Sequence, residues 1–198
     1  MPGLTSDANI LIDDARHRAQ SYRYVYGSGA PVEEVVRQVC NVKQAQTQYG
    51  GTSGHVFWCA ASSLVVMTVS VGWTGLRPYG VSFLFGGWDK HRKFQLYHSD
   101  PSGNFGGWKA TAIGSNYQQA QSSLKSDYKE GLDVMGALQL AVKVLMKTID
   151  SASPTAANME LATLTRVDGR VVHKIMNADK TNDIIKTVLD AEATSGDV

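Results

Sequence analysis

The sequence predicts a layered α+β fold, and three observations carry that prediction. Helical and strand-like patterns alternate in blocks: two helices, three strands, two helices, a hairpin and a closing helix. Glycine- and proline-containing turns separate the blocks. The dipeptide Asp168-Gly169, set between two apolar alternating runs, is a strong hairpin signal. With 198 residues, 43% of them hydrophobic, the chain has the length of one domain and an ordinary globular composition. We therefore expect a single domain over residues 1–198, ending in a frayed tail at 192–198.

The first helix is expected from Leu4 to Tyr26. Thr5, Ser6 and Asp7 offer N-caps, and Ile10, Leu11, Ala15 and Ala19 recur at helical spacing. The run Gly27 to Pro31 breaks it. Pro31 then opens a second helix, Val32 to Gln48, whose Glu33 and Glu34 lie where the helix dipole favours acids. Val35, Val36, Val39 and Val42 give it an apolar side, and Gly50-Gly51 ends it.

Tyr79 to Phe85 is short, apolar and aromatic, the composition of a buried strand. Trp88 to Lys93 reads as a polar turn. Phe94 to His98 alternates, with Phe94, Leu96 and His98 on one face and Gln95 and Tyr97 on the other. Asp100-Pro101-Ser102-Gly103 is a turn in which proline presets φ, Asp100 bonds forward and Gly103 tolerates positive φ. A third strand is expected from Trp108 to Gly114, completing a meander.

Asn116 to Lys129 reads as a helix with Ala120, Leu124 and Tyr128 on one side. Val134 to Ile149 carries the clearest helical period, through Met135, Leu138, Ala141, Val142, Leu145 and Ile149. Met135 and Met146 are read there as core gap-fillers. After the polar linker Ser151 to Asn158, Met159 to Val167 and Arg170 to Met176 form the hairpin, and Asn177 to Ala191 closes the chain.

Composition narrows the function classes. A net charge of +1 from near-balanced acids and bases gives no bulk attraction to polyanions. Cys40 and Cys59 lack metal-ligand spacing and read as free thiols of a reducing compartment. The opening MPGLTSDANI lacks the basic and apolar regions of a secretory signal.

Several segments resemble one known family in order and spacing. RPYGVSFLF, GGWDKH, FQLYHSDPSGNFGGWKATAIG and SDYKEG are similar to the alpha subunits of the 20S proteasome, as are GLTSDANILIDDAR and KQAQTQYGG further upstream. The likeness runs from about Gly3 to about Thr187, and its nearest match is the alpha type numbered three in eukaryotic particles. It implies an αββα sandwich of the N-terminal-nucleophile type, present here as a partial fold. The block of strands that precedes the Gly3 motif in the family is absent, so the chain is expected to be truncated, with sheet edges left unpaired. The implied role is a non-catalytic subunit of the outer ring, supporting ring assembly, substrate gating and regulator docking in ubiquitin-dependent degradation. The implied partners are the other alpha and beta subunits and a regulatory particle, with no nucleic acid, membrane or cofactor, in cytoplasm and nucleus. The first two helices would contact the neighbouring ring; as plain amphipathic helices they would be core.

Residues 52–75 depart from that pattern. No acid, lysine or arginine occurs from Gln44 to Leu76, and Val56 to Trp73 is dominated by apolar residues. In the family the Gly-Gly pair runs almost directly into Leu-Arg-Pro. A membrane span of about twenty residues would have to include Ser62, Ser63, Thr68, Ser70 and Gly72. A surface insertion would expose a large apolar patch. Translation of a retained intron, or a faulty gene model, is favoured because the family pattern resumes in frame on both sides. A non-functional fragment is accordingly the alternative reading of the whole chain, and a stand-alone N-terminal-nucleophile hydrolase is the enzymatic one.

No residue set reads as catalytic, cofactor-binding or metal-binding. The proteolytic subunits of this fold use a processed N-terminal threonine, whereas Thr5 follows Leu4 inside a helix and Thr52 borders the odd segment. His98, Asp100 and Ser102 suggest a hydrolase, but that spacing is ordinary turn chemistry. His17, His55, His91 and His173 are scattered. Lys90 to Lys93 is a short basic turn beside Asp89, read as solvated and not as a nucleic-acid patch. Gly86-Gly87 and Gly106-Gly107 are placed in turns without a phosphate loop. Trp88, Tyr97, Phe105 and Trp108 could serve an interface; most are read as core.

Overall fold

The computed structural model describes residues 2–48, 77–149 and 158–195. Its elements are α1 (Thr5–Tyr26), α2 (Val32–Gln48), β1 (Phe83–Asp89), β2 (Lys93–Ser99), β3 (Phe105–Trp108), α3 (Tyr117–Asp127), α4 (Val134–Thr148), β4 (Ala162–Val167), β5 (Arg170–Ile175) and α5 (Ala178–Ser195). This is the expected α+β order. The strands form a sheet ordered β1-β2-β3 and a second, two-stranded sheet of β4 and β5. The apolar stretch at 52–75, with Thr52, His55 and Cys59, lies outside the described residues, as does the tail beyond Ser195. The chain divides into two compact units: Met1–Phe85 with Tyr97–Gly107, and Gly86–Leu96 with Trp108–Val198.

The first unit is built on the α1–α2 pair. Ala8 and Leu11 of α1 meet Val39 of α2 and the extended residues Val81 and Phe83 in one buried cluster. Val36, Cys40 and Tyr97 form a second. Each fully buried leucine or valine contributes roughly 1.5–3 kcal/mol, so these few contacts hold the pair. The expected caps do not form: α1 starts from Leu4 with no side-chain cap, because Asp7 is engaged elsewhere. At the other end Gly27 adopts φ 67 and donates its N–H to the Arg23 carbonyl at 2.9 Å, a left-handed cap.

Two strand boundaries differ from expectation. β1 begins at Phe83, not Tyr79, because the preceding residues are committed to the chain start. Leu4 N–H donates to Gly80 O at 2.9 Å, Ser82 N–H to Pro2 O at 3.1 Å, and Gly3 bridges Val81. β1 then runs on through Trp88 and Asp89, so the turn shrinks to Lys90–Arg92. The third strand is Phe105–Trp108 and not Trp108 to Gly114. The Asp100 turn closes on Asn104, whose carbonyl accepts from Asp100 N–H at 3.0 Å, so pairing resumes at once at Phe105. Gly86-Gly87 and Gly106-Gly107 therefore lie in strands, not turns. A Cβ at Gly107 would stand 3.5 Å from the Tyr97 ring, which is why the smallest residue fits there. Within β2 the buried residues are Tyr97 and Ser99, while Phe94 on the opposite alternation is 51% exposed.

The second unit packs α4, α5 and the chain entering β4. Leu138 and Val142 of α4 meet Met159 and Leu161, and Ile184, Ile185 and Val188 of α5. Asp133 caps α4, accepting from Val134 N–H at 2.7 Å. Met146 packs against this core, but Met135 is 50% exposed and fills no core gap. The packing on α4 starts one turn later, at Leu138. Asn116 Nδ2 donates to Thr148 O at 3.1 Å, tying the start of α3 to the end of α4. In the hairpin, Val167 pairs with Arg170 and Ala162 with Ile175. Asp168 and Gly169 have φ of 50 and 79, the double positive φ that a two-residue primed turn requires.

Candidate functional site

Two polar constellations sit inside the first unit. In one, the buried Asp7 carboxylate accepts from both Arg77 amino groups, at 2.6 and 2.7 Å, and from Gly80 N–H at 3.1 Å. The Arg77 hydrogen bond, helped by the Gly80 amide, lowers the carboxyl pKa to about 2. This bidentate pair fixes helix α1 against the extended chain at Arg77–Ser82. Its role is structural, since every carboxylate oxygen is already engaged.

The second constellation has the look of catalysis. Lys43 Nζ donates to Ser99 Oγ at 2.9 Å, and both residues are 0% exposed. The ammonium also stands 5.1 Å from the centre of the Phe83 ring. Burial pushes the Lys43 pKa down and the Cys40 thiol pKa up. A lysine amine against a serine hydroxyl is one way of activating a nucleophile. Here no substrate carbonyl can approach, so the pair acts as a buried strut between α2 and β2. Sequence reading passed over Lys43. The signal was its place at the end of the series Val36, Val39, Cys40, Lys43, the buried face of an amphipathic helix.

Of the residues that suggested a hydrolase, Asp100 and Ser102 meet within their own turn, and His98 does not join them. Asp100 accepts from Ser102 Oγ at 2.6 Å and from Asn104 N–H at 3.1 Å. Burial pulls its pKa up, but the Ser102 and Asn104 bonds outweigh that and leave it lowered. The His98 side chain makes no hydrogen bond among the described residues, and its backbone belongs to β2. Gly103, at φ 92, lies so close to α2 that a Cβ would stand 2.6 Å from Cys40 O. The turn is thus held by its own side chains and seated on a helix.

The remaining candidates are dispersed. His17 Nδ1 lies 2.8 Å from Asp13 O on exposed helix and must carry the proton there. His91 and His173 are exposed, and no three metal-ligating residues gather among the described residues. The basic turn is organised by Asp89, whose Oδ1 accepts from His91 N–H at 2.9 Å and Arg92 N–H at 2.6 Å. Trp88 is half-buried with the Arg166 guanidinium 4.4 Å from its ring centre. Tyr97 is buried edge-on to Phe105 at 6.3 Å. Trp108 departs from the core reading at 46% exposed. At the end of α1, Tyr24, Val25 and Tyr26 are 92%, 67% and 66% exposed. Among the described residues no helix is long and apolar enough to cross a membrane.

What these features offer among the described residues is contact surface. The family model described as "Proteasome subunit" matches residues 1–57 and 60–164. The chain is 46% identical over 183 residues to proteasome subunit alpha type-4 of Petunia hybrida, covering 92% of this chain and 64% of that one. It is 51% identical over 160 residues to alpha type-4-A of Arabidopsis thaliana, covering 81% and 54%. Against alpha type-4 of Dictyostelium discoideum the identity is 46% over 185 residues, covering 93% and 64%. The chain thus spans between about half and two thirds of the length of these relatives. Their names correct the expected subtype: the similarity is to alpha type-4, not to the third alpha type. With the family match extending over most of its length, the chain belongs to the proteasome subunit family.

Proposed function

We propose that this chain is a non-catalytic subunit of the outer, alpha ring of the 20S proteasome, working in ubiquitin-dependent protein degradation in cytoplasm and nucleus. The observation that carries the reading is the exposed aromatic end of α1, where Tyr24, Val25 and Tyr26 are open to solvent. Among the described residues only the Tyr26 ring of these three is seen to pack, on Tyr22 of the same helix at 4.4 Å. Exposed apolar side chains grouped in this way belong at a protein interface. The relatives' names support partners of one kind, other proteasome subunits; alpha and beta neighbours, a regulatory particle docking on the ring and gated substrate entry are part of the same proposal. A non-catalytic role is supported by the sealed Lys43–Ser99 pair and by an Asp100 turn engaged in its own hydrogen bonds.

The test is gentle affinity purification of the tagged chain from its own cells. Stoichiometric recovery of alpha and beta subunits in one large particle is the expected result. A monomeric or aggregated product without those subunits would overturn the ring assignment and leave the fragment reading in its place. Sequencing the transcript across codons 52–75 then separates a splicing product from a faulty gene model.

A further inference from the structure

We propose that a groove on the second unit docks a linear acidic segment of a partner protein that carries one bulky apolar side chain. Two adjoining hollows of about 340 and 380 Å³ share Trp108, Lys109, Tyr128 and Glu130 along their common border. Leu124 of α3 lies in the first hollow and Phe94 of β2 in the second. Their floor is aromatic and wet: Phe94 is 51% and Trp108 46% exposed. Large aromatics left in water side by side are costly to a chain that never covers them and are the usual anchors of recognition. Two shallow hollows in a row suit an extended segment better than a compact ligand.

The rim sets the sign of the partner. Glu130, the carboxylate that lines both hollows, is paired with Lys109. Asp127, next to them on the chain, is answered by Lys143 at 3.1 Å and Lys147 at 3.9 Å, and Lys143 foremost holds its pKa low. Lys125 lines the first hollow and makes no ion pair among the described residues. The groove therefore presents an apolar floor under an uncompensated positive charge. A second copy docking through the same groove would bring an equally positive rim, so charge disfavours self-association there. The inference goes beyond membership of a ring and does not depend on it.

The test uses the full chain and fluorescein-labelled nine-residue peptides read by anisotropy. The first peptide carries a central phenylalanine flanked by glutamates and aspartates. The second replaces phenylalanine by glycine, and the third replaces the acids by lysines. Saturable binding of the first alone is expected. Lys125→Glu and Phe94→Ser, both at exposed positions and checked for folding by circular dichroism, should each weaken it about tenfold, and the Lys125 effect should shrink in high salt. No saturable binding up to millimolar peptide overturns the proposal. So does equal binding of the lysine peptide, or indifference to both variants. A wild-type dimer that Phe94→Ser dissociates in sedimentation would assign the groove to a second copy and overturn it as well.

Discussion

Ser99→Ala should destabilise the first unit far more than the loss of one hydroxyl suggests. Ser99 Oγ is the acceptor that Lys43 Nζ finds among the described residues, and both groups are sealed from water. Removing it strands a buried cationic donor, at a cost of about 1–3 kcal/mol. Lys43→Met takes away the charge together with its desolvation penalty, and the stem of the side chain is nearly conserved. Its effect should lie within about 1 kcal/mol of zero, because a buried ion and a well-packed apolar group of similar volume are often equivalent. The double variant leaves neither group unmatched, so it should recover most of what Ser99→Ala loses. Urea unfolding with unchanged m-value is the assay, and the quantity is the coupling between the two sites. Additive losses, or a Ser99→Ala variant within about 0.5 kcal/mol of wild type, would refute the strut. The pH dependence gives a second reading. Burial lowers the folded Lys43 pKa below 10.5, so between that lowered value and 10.5 the unfolded chain holds more protons. Stability from this group then rises with pH across that window. Cys40, raised by burial above 9.0, works in the opposite sense above pH 9.0. Comparing wild type with Lys43→Met largely removes the Cys40 contribution, and the difference should grow in favour of wild type as pH climbs toward 10.5.

Three further outcomes follow from the same geometry. Asp7→Asn should lower the unfolding midpoint at neutral pH. In wild type, stability is lost as pH falls from 3.8 toward about 2, and the variant should lack that acid limb when denaturant midpoints are followed with pH. Gly103→Ala should cost more than about 2 kcal/mol, since a positive φ is combined with a 2.6 Å approach to Cys40 O, whereas Gly27→Ala should cost only the left-handed strain of about 1 kcal/mol. Calorimetry of the two variants side by side checks the contrast. Tyr24→Ser with Tyr26→Ser should leave the unfolding free energy of the isolated chain within about 0.5 kcal/mol of wild type. It should nevertheless abolish co-purification of the chain with other subunits.

The helices were legible because their signals are local. The bounds of α2 follow from Pro31 and the valine spacing, and α4 follows from its apolar period with Asp133 as cap. The Asp168-Gly169 hairpin was equally plain, for two consecutive positive φ values leave few other turns. Strand limits were less so. Tyr79 to Phe85 has strand composition, yet its first half is spent on Pro2–Leu4, a contact across the whole first unit that no window of sequence contains. Asp7 read as a cap for the same reason: its partner Arg77 lies 70 positions away. Trp108 and Met135 look alike to any hydropathy scale whether covered or bare, so their exposure needed the fold.

The Asp7–Arg77 and Lys43–Ser99 contacts also bear on how the chain acquires its structure. The first unit closes across 56, 70 and 73 positions at Lys43–Ser99, Asp7–Arg77 and Asp7–Gly80. Its last segment, Tyr97–Gly107, follows the opening segment of the other unit in the chain. The hairpin β4–β5 and the α3–α4 pair join neighbours instead. Loop-closure entropy has to be met before distant contacts repay it, so high separation means slow formation. The hairpin and the α3–α4 pair can form early. On a ribosome, the Lys43 ammonium waits unburied until the chain has grown past Ser99, and α1 and α2 spend that interval with their apolar faces open to whatever else is near.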